Sequence, residues 1–164
     1  MTFLTHSMNR NFESDLKIGL GLESEITSRL SQVTEVENSQ EYNPDFDISL
    51  TQLGPITLEI KLDEASNRYQ NYCIETTYEG RPSGINSTKA NVWIQGNNDG
   101  LLVLNRLSLL ELVSDMKTIR RDIQGKDVEM CLVPKTSLRM HGTMVTAEDN
   151  AKELLYTIIE ESDN

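Results

Sequence analysis

The stretch from Asn43 to Asp63, "NPDFDISLTQLGPITLEIKLD", constrains the fold more than any other part of the chain. Its two halves alternate apolar and polar residues around a Gly-Pro turn, and successive side chains of a pleated strand point to opposite faces. Phe46, Ile48 and Leu50 fall on one side of the first half, with Asp45, Asp47 and Ser49 on the other. In the second half Leu58, Ile60 and Leu62 share a side, and Thr57, Glu59, Lys61 and Asp63 lie opposite. The pattern predicts a hairpin that buries one face and gathers several carboxylates and one lysine on the other.

Around this hairpin the chain reads as alternating helices and strands. Apolar residues at Leu16, Leu20, Leu22, Ile26 and Leu30 predict a helix over 14–30, although Gly19 and Gly21 are poor helix formers. Residues 32–42 read as a linker or short strand. Downstream, "NYCIETTY", "ANVWIQG", "GLLVLN" and "VEMCLVP" predict strands, with "EGRPSGINST" as a loop. Ser108 and Glu111 have capping-box spacing and predict a helix to about Arg121, whose Arg120–Arg121 end would complement the helix dipole. Thr146 and Asp149 have the same spacing before a final helix to about Glu160. The expectation is an α/β fold with a mixed central sheet flanked by helices, as a single domain over residues 1–164 with loose ends at about 1–12 and 161–164.

The 164 residues suit one domain with a real core. No apolar run reaches the length of a membrane span, and the first residues lack the apolar core of a signal peptide, so a cytoplasmic, non-membrane protein is expected. Cys73 and Cys131 have no metal-ligand spacing and read as structural thiols, and neither His6 nor His141 has a partner at usable spacing. The net charge of −11 is unevenly spread. Residues 1–59 hold three Lys/Arg against ten Asp/Glu, residues 60–140 eleven against ten, and residues 141–164 one against six. The middle of the chain therefore has room for a basic surface between acidic ends, but no basic tract promises tight non-specific DNA binding.

Like charges on neighbouring strands destabilise a hairpin unless something cationic lies between them. Carboxylates converging from two paired strands suit a hard divalent cation, which takes oxygen ligands and keeps several waters. Such an ion lowers the pKa of bound water and polarises a phosphoryl oxygen. A lysine beside it, kept protonated by the acids, can orient the water or stabilise charge on the reacting phosphate.

Pro44-Asp45 followed by Glu59-Ile60-Lys61 resembles the signature of the PD-(D/E)xK nuclease superfamily, with its restriction-endonuclease-like core. "GLESEITSRL" at 21–30, with "NPDF" and "LEIK", is similar to the phage endonuclease I type of Holliday-junction resolvase. The motifs cover about residues 14–63. The resemblance implies a metal-dependent DNA endonuclease using Mg²⁺, with Mn²⁺ able to substitute. It implies Glu59 as metal ligand, Asp45 of the "PD" pair as first choice for the second with Asp47 kept beside it, Lys61 as the catalytic lysine and Glu23 as a helix carboxylate at the site. Asp63 and Glu75 are weaker carboxylate candidates. In the loop that follows, Arg81, Ser83, Gly84 and Lys89 are candidates for substrate contacts, because small residues and cations let backbone and charge approach a phosphate. By analogy DNA is the partner and a homodimer would place two sites by symmetry. The alternatives are a nuclease-fold DNA- or protein-binding protein without activity, and an acidic protein that engages a basic partner.

Overall fold

The computed structural model describes residues 12–38, 45–52, 54–146 and 148–164, with side chains described from residue 21 onward. Pro44, the first residue of the "PD" pair, and residues 1–11 lie outside the described residues. In chain order the elements begin with α1 (Phe12–Leu30), β1 (Val36–Asn38), β2 (Ile48–Leu50), β3 (Ile56–Leu62) and β4 (Asn71–Tyr78). They continue with β5 (Arg81–Pro82), β6 (Val92–Asn97), β7 (Gly100–Asn105), α2 (Arg106–Ser114), β8 (Thr118–Ile123) and β9 (Lys126–Pro134). The chain closes with α3 (Lys135–Arg139), β10 (Gly142–Val145) and α4 (Ala151–Asp163). Short 3-10 turns at Ala65–Asn67 and Gly84–Asn86 flank β4 and β5.

The predicted hairpin forms, with β2 and β3 antiparallel and Ile48 opposite Leu58, Ser49 opposite Thr57 and Leu50 opposite Ile56. Gly54 turns the chain with φ +77°, a conformation that only glycine adopts without strain. β3 then pairs in parallel with β6, and β6 antiparallel with β7. The result is a six-stranded mixed sheet in the order β1-β2-β3-β6-β7-β10. The expected α/β architecture, a mixed central sheet flanked by helices, is thus present.

Each face of this sheet has its own core. On one side Leu58, Ile60 and Ile94 pack with Ile26 and Leu30 of α1 and Leu154 and Ile158 of α4. Removing a side chain of this size from water contributes about 1.5–3 kcal/mol, which holds α1 helical despite its two glycines. On the other side Trp93, Leu102 and Leu104 pack against Tyr72 and Ile74 of β4 and Cys131 and Val133 of β9. These last strands belong to a second, four-stranded antiparallel sheet in the order β5-β4-β9-β8. The sequence pattern foresaw β4 and β9 as strands but not that they leave the central sheet.

Two helix readings are corrected. α2 is capped by Asn105, whose side chain accepts from the Ser108 N–H, and ends at Ser114 instead of reaching Arg121. Residues 118–123 instead form β8, in a hairpin with β9 closed by Gln124 (φ 54°) and Gly125 (φ 77°). Two successive positive φ values match the twist of a tight hairpin. Arg120 and Arg121 therefore lie on a strand, away from any helix end. α4 is capped by Asn150, which forms a capping box with Glu153, whereas Asp149 accepts from the Thr146 N–H and hydroxyl. It runs on to Asp163, and Glu161 is buried there, accepting from the Thr143 hydroxyl.

Candidate active site

β2 pairs with only the first part of β3, so the β3 edge at 59–61 is left without a strand neighbour on that side. Asp47, just before β2, closes the gap with its side chain. Its Oδ2 accepts from the Ile60 N–H at 2.6 Å, while its own N–H donates to the Leu58 carbonyl at 2.8 Å. Glu59 and Lys61 alternate with the core residues Leu58 and Ile60 and so project to the other face, as the sequence pattern requires. Lys61 Nζ lies 2.6 Å from Glu59 Oε1. The Thr88 hydroxyl lies 3.0 Å from Glu59 Oε2, so a carboxylate only 8% exposed is held by an ammonium and a hydroxyl.

The electrostatics tie a helix residue to this group. Burial pushes the Glu23 carboxyl on α1 up to about 7, with the charges of Asp47 and Glu59 adding and Lys61 opposing. Burial likewise raises Asp47 to about 6, with Glu59 adding, and the Ile60 N–H and Lys61 opposing. For Lys61, burial works against the charged form, but the attraction of Glu59, joined by Asp47 and Glu75, outweighs it and raises its pKa. Burial is the main reason Glu23 and Asp47 hold their protons to higher pH than an ordinary carboxyl, and the neighbouring carboxylates add to it, because Lys61 is one cation shared among Glu23, Asp47, Glu59 and Glu75.

Asp45 is placed differently. Its carboxylate pairs with Lys89 Nζ at 3.1 Å, and its carbonyl accepts from the Lys89 N–H at 3.0 Å. The residues expected to contact substrate divide likewise. Ser83 donates to Glu75 Oε1 at 2.5 Å, and Gly84, at φ +51°, presses on the Glu75 backbone, where a Cβ would stand 2.3 Å from its carbonyl oxygen. Both are bound up in holding the loop to β4. Arg81 and Lys89 are exposed. Asp63 is buried and accepts from the Ser66 N–H at 3.0 Å, the Cys73 N–H at 2.7 Å and Gln95 Nε2 at 3.0 Å, a structural assignment for its carboxylate.

The fold therefore brings Glu23, Asp47, Glu59 and Lys61 into one electrostatic group, and joins Asp45 to it through Thr88, whose hydroxyl is 3.1 Å from the Asp45 carbonyl. Thr88 is the residue that sequence reasoning missed, because a threonine in a loop carries no signal until the loop is folded onto β3. Among the described residues, no group of three or more His, Cys, Asp or Glu is arranged to hold a metal ion. Glu59 is engaged by Lys61 and Thr88, and Asp47 by the Ile60 N–H.

No protein-family model matches the chain. No curated protein matches it either. Among solved structures, a nuclease from a fusselovirus superposes with a TM-score of 0.32 at 16% sequence identity, over 77% of this chain and 87% of that one. A likeness this slight establishes neither the activity nor the site of this chain.

Proposed function

We propose that the chain is a divalent-metal-dependent endonuclease that hydrolyses phosphodiester bonds in DNA at the edge of β3. The observation that carries the reading is the Glu59–Lys61 pair, 2.6 Å apart at the open edge of β3, with Asp47 accepting from the Ile60 N–H between them. The Asp47 and Glu23 carboxyls, which feel both charges, are raised to about 6 and about 7, mainly by burial. Isolated surface ion pairs do not need three acids to one base, and perturbed carboxyls gathered at one place mark candidate functional sites.

The donor chemistry fits Mg²⁺ or Mn²⁺, since every anionic group offered is a carboxylate oxygen. Glu59 and Asp47 would hold the ion, whose remaining ligands would be waters, and Glu23 would be a carboxyl near it outside the ligand pair. Asp47 is preferred over Asp45 because Asp45 is already matched by Lys89. When bound, the ion supplies Lewis-acid polarisation of the phosphoryl oxygen and a more acidic water. Lys61, kept cationic by its neighbours, supplies a positive charge where negative charge develops on the phosphate. Asp47 fixes the register of the open β3 edge through the Ile60 N–H and so the position of the Glu59 and Lys61 side chains. A homodimer would place two such sites on the two strands of a duplex or branched substrate.

The test is incubation with Mg²⁺ or Mn²⁺ and a panel of linear, single-stranded and four-way-junction DNA, beside Lys61→Ala. Metal-dependent cleavage that is lost in the variant supports the reading, and the preferred substrate names its class. No cleavage together with no rise in Tm on adding either ion would overturn it, leaving a binding protein without activity.

A further inference from the structure

The second sheet carries a cross-strand row that the nuclease reading does not use. Arg81 of β5 stands opposite Tyr78 of β4, Tyr78 opposite Val128 of β9, and Val128 opposite Arg121 of β8. Residues directly opposite across paired strands point to the same face. The row therefore presents an arginine, a tyrosine and an arginine on one face, spanning three strand spacings or roughly 14 Å. Tyr78 is 42% exposed and both arginines are exposed, whereas Val128 between them is buried.

A β-bulge creates this row. The register shifts between Glu75 and Thr77, so that Glu75 faces Met130, Thr77 faces Glu129 and Tyr78 faces Val128. In a regular strand Glu75 and Tyr78, three apart, would point to opposite faces; the extra residue, Thr76, turns Tyr78 to the face of Glu75. The bulge is pinned from the loop that packs on Glu59: Ser83 N–H and Asn86 Nδ2 both donate to the Thr76 carbonyl, at 3.0 and 3.1 Å.

Charge distinguishes this face from the opposite one. There, Arg120 is matched by Glu129 at 2.6 Å, and Thr77 donates to the same carboxylate. On the Tyr78 face Glu75 accepts from the Ser83 hydroxyl and keeps its charge, and in the turn that follows Tyr78 Glu79 accepts from the Asp127 N–H with Lys126 3.9 Å away. Arg81 and Arg121 have no ion pair among the described residues. Glu75, on this face, is among the acids whose charge raises the pKa of Lys61.

We propose that the Arg81–Tyr78–Arg121 row is a platform for a single-stranded nucleic-acid segment, with a base stacked on Tyr78 and phosphates held by the two arginines. Every base has a π-face, so a tyrosine between cations binds an extended strand with little sequence preference. The platform extends the nuclease reading and rests on it for the place where the strand is cut. It makes the substrate one with an unpaired segment beside the scissile bond.

The experiment is fluorescence anisotropy of the full chain with labelled 15-mers of deoxythymidine, uridine and a DNA duplex, in EDTA so that nothing is cleaved. Tyr78→Ala is expected to weaken single-strand binding roughly 10-fold and Tyr78→Phe to leave it nearly unchanged. Arg81→Ala with Arg121→Ala is expected to flatten the slope of log K against log salt by about 1.4, from two lost phosphate contacts. Arg120→Ala, on the other face, is expected to bind like the parent. DNA and RNA arms of equal affinity assign the platform to the shared backbone and base chemistry, and a difference assigns it to one of them. Parent-like binding by folded Tyr78→Ala and by the double arginine variant overturns the platform, as does a parent that binds only duplex. Cleavage that persists with such binding would sink the platform and spare the nuclease. Salt-sensitive binding lost in the variants, without cleavage under Mg²⁺, would do the reverse.

Discussion

At the scale of single residues, the candidate site is a competition between desolvation and one lysine. Lys61 keeps its charge because Glu59 sits 2.6 Å away, whereas Glu23 and Asp47 are too buried for that single cation to hold them ionised at their ordinary pKa. Both carboxyls have folded-state values raised above the usual carboxylate range. Their contribution to stability is therefore fully present below the unfolded pKa of about 4 and is lost as pH rises through about 6 and about 7. In EDTA, Glu23→Gln with Asp47→Asn is expected to melt at a Tm that changes less between pH 5 and pH 8 than the parent's. Calorimetry across that window checks it, and a parent whose Tm rises relative to the variant over the same range contradicts it. Lys61→Ala is expected to lower metal-dependent cleavage at least about 100-fold, the usual loss when one preorganised charge at a reacting centre is removed. Single-turnover cleavage rates measure it.

At the scale of elements, legibility followed the strength of the local pattern. The β2–β3 hairpin was readable because Ile48, Leu50, Leu58 and Ile60 alternate with polar residues, and one buried face fixes the register. Asp47, Glu59 and Lys61 fall on the polar side of the same alternation, as does Asp45, whereas Glu23, on α1, was a candidate only through the family resemblance. β8 was misread because Leu109, Leu110 and Val113 suggest a helix whose end has no Gly or Pro, and the stop depends on hairpin pairing 10 residues further on. β5 and β10 are too short to show a period, and β10 is a strand only because it adds to β7. The loop over the site was equally opaque: Thr88 reaches Glu59 across 29 positions, and Gly84 is required by a contact with β4. That contact makes a prediction for the loop as an element. Gly84→Ala forces a Cβ against the Glu75 carbonyl at a φ of +51°, and is expected to cost about 2–4 kcal/mol by combining backbone strain with overpacking. Urea unfolding should show a lower midpoint at unchanged slope.

At the scale of the whole molecule, the question is what makes two separate sheets one cooperative structure. Apolar burial supplies most of it, through Trp93, Leu102 and Leu104 against Tyr72, Ile74 and Val133. The polar junction at the end of β3 supplies the specificity. Asp63 accepts from Cys73 on β4, Gln95 on β6 and Ser66 in the 3-10 turn before β4, and Gln95 also donates to the Cys73 carbonyl and accepts from Trp93 Nε1. No buried side-chain polar atom among the described residues is left without a partner, so the network is complete and its removal is costly. Asp63→Ala leaves the Cys73 and Ser66 N–H groups and the Gln95 amide short of an acceptor, which is expected to destabilise by about 2–4 kcal/mol. Asp63→Asn is no rescue, because one of its two positions would set an NH₂ against an N–H donor. The chain has a single tryptophan, and it lies in the layer between the sheets. Its fluorescence therefore reports their docking, while far-UV circular dichroism reports the strands and helices themselves. In the parent the two signals are expected to change together in urea, as one transition. If Asp63 is what couples the sheets, its alanine variant should lose Trp93 burial before secondary structure. Coincident curves in the variant, at a midpoint equal to the parent's, would show that apolar packing alone joins them.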